Sequence, residues 1–77
     1  MADQRVYDAN LAEAIEQALT ELNERERAVI NAYFGIGEER MTMAEIGEQM
    51  GLKRERVRQI RDRATRRMRK IIAIRKA

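Results

Sequence analysis

Apolar residues at Leu11, Ala14, Ile15, Ala18, Leu19 and Leu22 recur at intervals of three or four. That spacing puts them on one stripe of an amphipathic helix and predicts a first helix over about residues 8–21. Val6 and Tyr7 precede it, as part of the helix or as a loose lead-in. Asn23, with Glu26 three residues on, matches a capping pair. A second helix is predicted over 24–34, carrying Val29, Ile30, Ala32, Tyr33 and Phe34, with Gly35 as its left-handed C-terminal cap. After a polar loop over 35–41, Thr42 and Glu45 form a T-x-x-E capping box. They open a short helix over 43–50 whose inner face is Met43, Ile46, Gly47 and Met50. Gly51 ends it, and Leu52 and Lys53 make a turn. A last helix is predicted over 54–74, with Val57, Ile60, Ala64, Met68 and Ile71 as its apolar stripe. No strand alternation, internal repeat or linker is present.

Residues 43–62 are the most informative stretch. Two helices joined by a tight turn that needs glycine make a helix-turn-helix, the second helix lying in the DNA major groove. Gly47 falls where the helices cross closely, and Gly51 falls at the turn, where positive φ is cheap for glycine. Ile46, Met50, Leu52, Val57 and Ile60 point inward. Lys53, Arg54, Glu55, Arg58 and Gln59 point outward. Arg54, Glu55, Arg58 and Gln59 share one face by i, i+4 spacing. Arg suits guanine, Gln adenine, and Glu the cytosine amino group. Glu55 either favours the helix N-terminus electrostatically or reads a base, and the second role implies sequence specificity. The expected fold is therefore all-α. It is a small four-helix domain containing a helix-turn-helix, winged-helix-like without the wing, with a long C-terminal recognition helix.

Composition narrows the chemistry. In 77 residues there is no Cys, His, Ser, Pro or Trp. Thiolate and imidazole chemistry, zinc fingers and serine triads are thereby excluded, and a binding module is favoured over an enzyme. No cofactor or metal is expected. No apolar run approaches the roughly 20 residues of a membrane span, so no membrane partner is expected, and the composition is compatible with the cytoplasm. The net charge is only +3 but is unevenly placed. Residues 1–38 hold three Arg against eight acids, a net −5, whereas residues 39–77 hold 13 cations against five acids, a net +8. From Lys53 onward 12 cations face two acids, which points to a polyanion partner at that end. Thirteen of the 16 cations are Arg, the residue suited to bidentate contacts with phosphates and bases.

The strings Leu22-Asn23-Glu24-Arg25-Glu26-Arg27-Ala28-Val29-Ile30, Phe34-Gly35-Ile36, Thr42-Met43-Ala44-Glu45-Ile46-Gly47 and Arg54-Glu55-Arg56-Val57-Arg58-Gln59-Ile60 follow in order. In that order and spacing the chain resembles region 4 of the sigma-70 family of bacterial RNA polymerase sigma factors, over about residues 11–70. The Phe-Gly-Ile and Arg-Glu-Arg-Val-Arg-Gln-Ile strings resemble primary sigma factors more than the extracytoplasmic-function group.

The resemblance implies binding of the −35 promoter element as double-stranded DNA and docking on the β-subunit flap of RNA polymerase, without catalysis. Arg54, Glu55, Arg58 and Gln59 would face base edges or the adjacent backbone. Lys53, Arg56 and Arg61 would hold phosphates, with the helix end at Thr42 as a further phosphate seat. Ile30, Tyr33, Phe34, Ile36 and Met68 are candidates for the flap, or equally for plain core. Arg61, Arg63, Arg66 and Arg67 are candidates for an acidic activator patch.

Two positions and the C-terminal end depart from the family pattern. Lys53 stands where Thr or Ser usually caps the recognition helix. Thr65 replaces a usual Leu. The end, Ile71-Ile72-Ala73-Ile74, is unusually apolar. A working sigma factor also needs segments that open the −10 element, so the chain reads as a domain of a longer protein rather than a stand-alone mimic. The alternative is a stand-alone region 4-like regulator, or a module binding the polymerase or an anti-sigma factor. The acidic front half and the apolar tail motivate it.

Overall fold

The computed structural model describes residues 9–76, with side chains through Arg75. The lead-in at Val6 and Tyr7, and position 8 where the first helix is expected to begin, lie outside the described residues. Four helices follow in order: α1 (Ala9–Thr20), α2 (Glu24–Phe34), α3 (Met43–Met50) and α4 (Arg54–Lys76). Among the described residues there is no strand, which agrees with the all-α class. No helix among them is long and apolar enough to cross a membrane.

Local chemistry explains the boundaries. The Asn23 side chain accepts from the Glu26 N–H at 2.8 Å, and the Glu26 carboxylate accepts from the Asn23 N–H at 3.1 Å. Thr42 and Glu45 make the same reciprocal pair, at 3.1 and 2.8 Å. Two of the orphan donors at each helix start are thus satisfied within four residues of sequence. Gly35 and Gly51 close α2 and α3 in the left-handed conformation, at φ 71° and 72°. The loop after α2 is pinned back by the Met41 N–H donating to the Ala32 carbonyl at 2.8 Å. The start of α4 differs. The Lys53 carbonyl accepts from the Val57 N–H at 3.1 Å, so Lys53 is the cap residue, and its side chain has no acceptor to offer.

α4 is the spine, and α1, α2 and α3 each pack against it. Two apolar clusters form along its length. Near its start, Val57 and Ile60 meet Val29, Ala32 and Ile46, with Tyr33, Met41, Met43, Met50 and Leu52 at the margin. Further on, Ala64 meets Leu19, Leu22 and Ile30, with Ile15 and Met68 at the margin. α4 continues through Lys76, beyond the expected end at Ile74, and its end is tied to α1. Arg75 donates to the Glu13 carboxylate at 2.9 Å and to the Gln17 side-chain oxygen. Ile71 and Ile72 are half-buried, while Ile74 is 76% exposed.

The helix-turn-helix depends on one close approach. The Gly47 carbonyl accepts from both the Gly51 and Leu52 N–H groups, the latter at 2.7 Å. A Cβ on Gly47 would sit 2.5 Å from the Leu52 carbonyl oxygen, a backbone atom that cannot swing aside. At Gly51 a Cβ would meet nothing within 4 Å, so only its positive φ is at issue there. Gly47→Ala is therefore expected to destabilise the domain by about 1–3 kcal/mol, as overpacking does. Gly51→Ala should cost less, on the order of 1 kcal/mol. Urea melts followed by circular dichroism check both the size and the order.

Candidate nucleic-acid interface

The turn at Gly51 and Leu52 delivers the first two turns of α4 to the surface, with Val57 and Ile60 as the inward side. Lys53, Arg54, Glu55, Arg56 and Gln59 are exposed, and Arg58 is half-buried. All four predicted base-facing residues thus stand together on the outer side of α4. The side chains of Lys53, Arg54 and Arg63 make no hydrogen bond or ion pair among the described residues, so their charged ends are open to an anion. Arg56 donates weakly to the Gln59 side-chain oxygen, at 3.4 Å.

Arg58 is held more firmly. Its Nε donates to Glu55 Oε1 at 3.1 Å, its Nη2 to Glu55 Oε2, and its Nη1 to Asp62 Oδ2 at 2.8 Å. Glu55, Arg58 and Asp62 are thus an i, i+3, i+7 ladder along one ridge of α4. The hydrogen bond from Arg58 holds the Glu55 carboxyl below the usual carboxylate range, with the Arg58 and Arg54 charges adding to it. The Asp62 carboxyl is also lowered, first by its hydrogen bond from Arg61 and then by the nearby arginine charges.

Arg61, expected at a phosphate, is engaged inside the protein. Its Nε and Nη2 donate to Asp62 Oδ1 at 3.0 and 2.7 Å. Its guanidinium also lies 4.9 Å from the Tyr33 ring centroid, a cation–π contact that joins α4 to α2. Arg67 is engaged as well, donating to the Glu26 carboxylate at 2.9 Å and the Glu21 carbonyl at 3.1 Å. Of the four activator-patch candidates, Arg63 and Arg66 remain exposed without such a tie. The Thr42 hydroxyl is occupied by its capping box, at the exposed start of α3.

The flap candidates do not form one patch. Ile30 is 1% exposed in the second cluster and offers no surface; the inward stripe of α2 takes it into the core. Met68 lies half-buried at the margin of that cluster. Tyr33 belongs to the first cluster and meets Phe34 edge-on, with ring centroids 4.9 Å apart. Phe34 is 50% exposed and Ile36 is 37% exposed. Tyr33 and Phe34, with Thr65 and Arg69 of α4, line a groove of about 430 Å³. The Thr65 hydroxyl donates to the Arg61 carbonyl, so it presents no unsatisfied polar atom there.

A second groove, of about 500 Å³, lies between the start of α2 and α4. Arg25 lines it beside Arg56, Gln59, Arg63 and Arg66. Sequence reasoning missed Arg25, because 29 positions separate it from the reading helix and only the packing of α2 on α4 brings it near. Its place in the first turn of a capped helix was the one available signal.

These features define a helix-turn-helix domain with a cationic reading helix. The family described as Sigma-70, region 4 matches the chain over residues 18–70. The RNA polymerase sigma factor RpoD of Helicobacter pylori (strain ATCC 700392 / 26695) is 45% identical over 62 residues, covering 78% of this chain and 9% of that protein. The chloroplastic RNA polymerase sigma factor sigD of Arabidopsis thaliana is 40% identical over 70 residues, covering 90% and 17%. The RNA polymerase sigma factor RpoS of Coxiella burnetii (strain RSA 493 / Nine Mile phase I) is 40% identical over 68 residues, covering 87% and 19%. The chain belongs to the sigma-70 region 4 family. It spans less than a fifth of the length of these relatives.

The lowered carboxyls give a pH signature. A carboxyl that is more acidic in the folded state contributes stability at neutral pH. That contribution is lost as pH falls through and below the ordinary carboxylate range, near 4. The double variant Glu55→Gln, Asp62→Asn is therefore expected to show a smaller drop in melting temperature between pH 7 and pH 3 than the parent. Thermal melts at the two pH values check this.

Proposed function

We propose that this domain reads the −35 promoter element as double-stranded DNA and, within a longer sigma factor, docks on RNA polymerase to direct transcription initiation. The supporting observation is the exposed first half of α4. It carries Arg54, Glu55, Arg58 and Gln59 on the second helix of a helix-turn-helix in a sigma-70 region 4 chain. Arg54 and Gln59 have the donor geometry for guanine and adenine edges. Lys53, Arg56, Arg63 and Arg25 surround them and would hold the phosphates, while the uncapped amide end of α4 favours an anion. Glu55 would select against a backbone-only mode, because an acid at the helix tip repels phosphate.

For polymerase, the exposed Phe34 and Ile36 together with Tyr33 favour an apolar contact with the β flap, distinct from the reading face. The named relatives are RNA polymerase sigma factors, which supports a polymerase partner.

Fluorescence anisotropy with a −35 duplex and a scrambled duplex tests the reading. The 77-residue chain should prefer the −35 duplex, and affinity should fall with a log-log salt slope of about −4 to −5 for roughly five phosphates. Arg54→Ala and Gln59→Ala should each lose about 1–3 kcal/mol of discrimination. Lys53→Ala should weaken both duplexes equally and reduce the salt slope by about one. Equal binding of both duplexes by the parent at low salt, even when tethered to the flap, would refute promoter reading. Phe34→Ala should weaken capture by an isolated flap fragment while leaving duplex binding unchanged. A protein-binding module alone would leave every activity intact in Arg54→Ala.

A further inference from the structure

The Asp62 carboxylate divides its two oxygens between two arginines. Oδ1 receives Nε and Nη2 of Arg61, and Oδ2 receives Nη1 of Arg58. Arg61 is not free to move. Its side chain is 21% exposed, and its guanidinium lies on the Tyr33 ring, which packs against the first core cluster. A continuous series of contacts therefore runs from α2 through Tyr33, Arg61 and Asp62 to Arg58. At the far side Glu55 holds Arg58 by a second edge. Without these contacts, Arg58 would be a long side chain free to sample many rotamers at the surface. Held at Nε, Nη1 and Nη2, it keeps its remaining N–H donors in one orientation.

We infer that Asp62 is a positioning residue for sequence discrimination: it couples Arg58 to the Tyr33–Arg61 contact so that the guanidinium is pre-aimed at a base edge. The inference rests on the promoter-reading assignment of α4. A bidentate contact to guanine needs two N–H groups presented in a fixed plane. Ordering that plane before binding removes part of the entropy lost on complex formation. Asp62 is itself an acid beside a polyanion, so its charge alone would weaken binding to every duplex. Its value lies in geometry, and geometry and charge predict opposite outcomes.

The test compares the parent chain, Asp62→Ala and Asp62→Glu on the −35 and scrambled duplexes. Asp62→Ala is expected to raise affinity for the scrambled duplex, having lost a repelling charge. It should lower the −35-to-scrambled ratio roughly fivefold, the low end of what one bidentate base contact supplies. Asp62→Glu keeps the charge and an i, i+4 reach to Arg58, and should restore most of the ratio. In the free protein, the Arg58 Nη1–H signals in NMR should lose their order in Asp62→Ala and regain it in Asp62→Glu, while Nε–H stays held by Glu55. If Asp62→Ala tightens both duplexes equally with the ratio unchanged, the carboxylate acts by charge only and the inference is wrong. It is equally wrong if the ratio falls and Asp62→Glu fails to restore it. A parent chain that does not discriminate at all would instead overturn the promoter reading, and this inference with it.

Discussion

One buried stripe on one helix organises this molecule. Val57, Ile60 and Ala64 fall successively on the inner side of α4, and each is 5% exposed or less. Three other helices bury their apolar faces against that side, so α4 is the structural axis while its first half presents an exposed cationic face. Its first two turns are packed against the body through Val57 and Ile60. Ile46 and Val29 lock Val57 and Ile60 from behind, while Arg54 and Gln59 look outward from the same turns. A shift in the core would be felt directly at the reading face, because close-packed interiors transmit displacement rather than absorb it.

The charge asymmetry has a structural use. The acidic front half is not merely set apart from the basic tail. Glu13 receives Arg75, and Glu26, within its capping box, receives Arg67. These pairs hold the far stretch of α4 to α1 and to the start of α2. Glu26 is mostly buried, so it combines the N-terminal cap of α2 with a tertiary contact. Lys53, Arg54 and Arg63, at and beyond the start of α4, have no such partners among the described residues, nor do Arg66, Arg69 and Lys70 further along it. The net positive charge is thus sorted by packing into arginines that tie helices together and cations that remain open to a polyanion.

Much of this was legible in the chain. The helix starts at Asn23 and Thr42 were readable because capping boxes are local, needing only side chains three residues apart. The turn was readable because Gly47 and Gly51 stand at the spacing that a close crossing and a positive φ require. The cooperative set Arg54, Glu55, Arg58 and Gln59 followed from helical periodicity. Less legible were Arg61 and Arg67. A bare Arg on an exposed helix looks the same in sequence whether it faces phosphate or folds back onto Tyr33 or Glu26. Ile30 was ambiguous for the same kind of reason, since an apolar residue on α2 can face the core or a partner. Arg25 was the least legible, because its neighbours on α4 are distant in sequence.

The sequence by itself determined the helices, their caps, the tight turn and which residues share the outer face of α4. All of these depend on interactions within a few residues, where backbone geometry leaves few options. The tertiary structure decided which charges are occupied and which are open. That depends on how α1 and α2 lie across α4, which is set by apolar packing rather than by the charges themselves. Asp62 shows the difference most clearly. In the chain it is one acid among many arginines. In the fold its two oxygens fall between Arg58 and a guanidinium fixed on Tyr33, and only the packing of α2 on α4 puts that ring there.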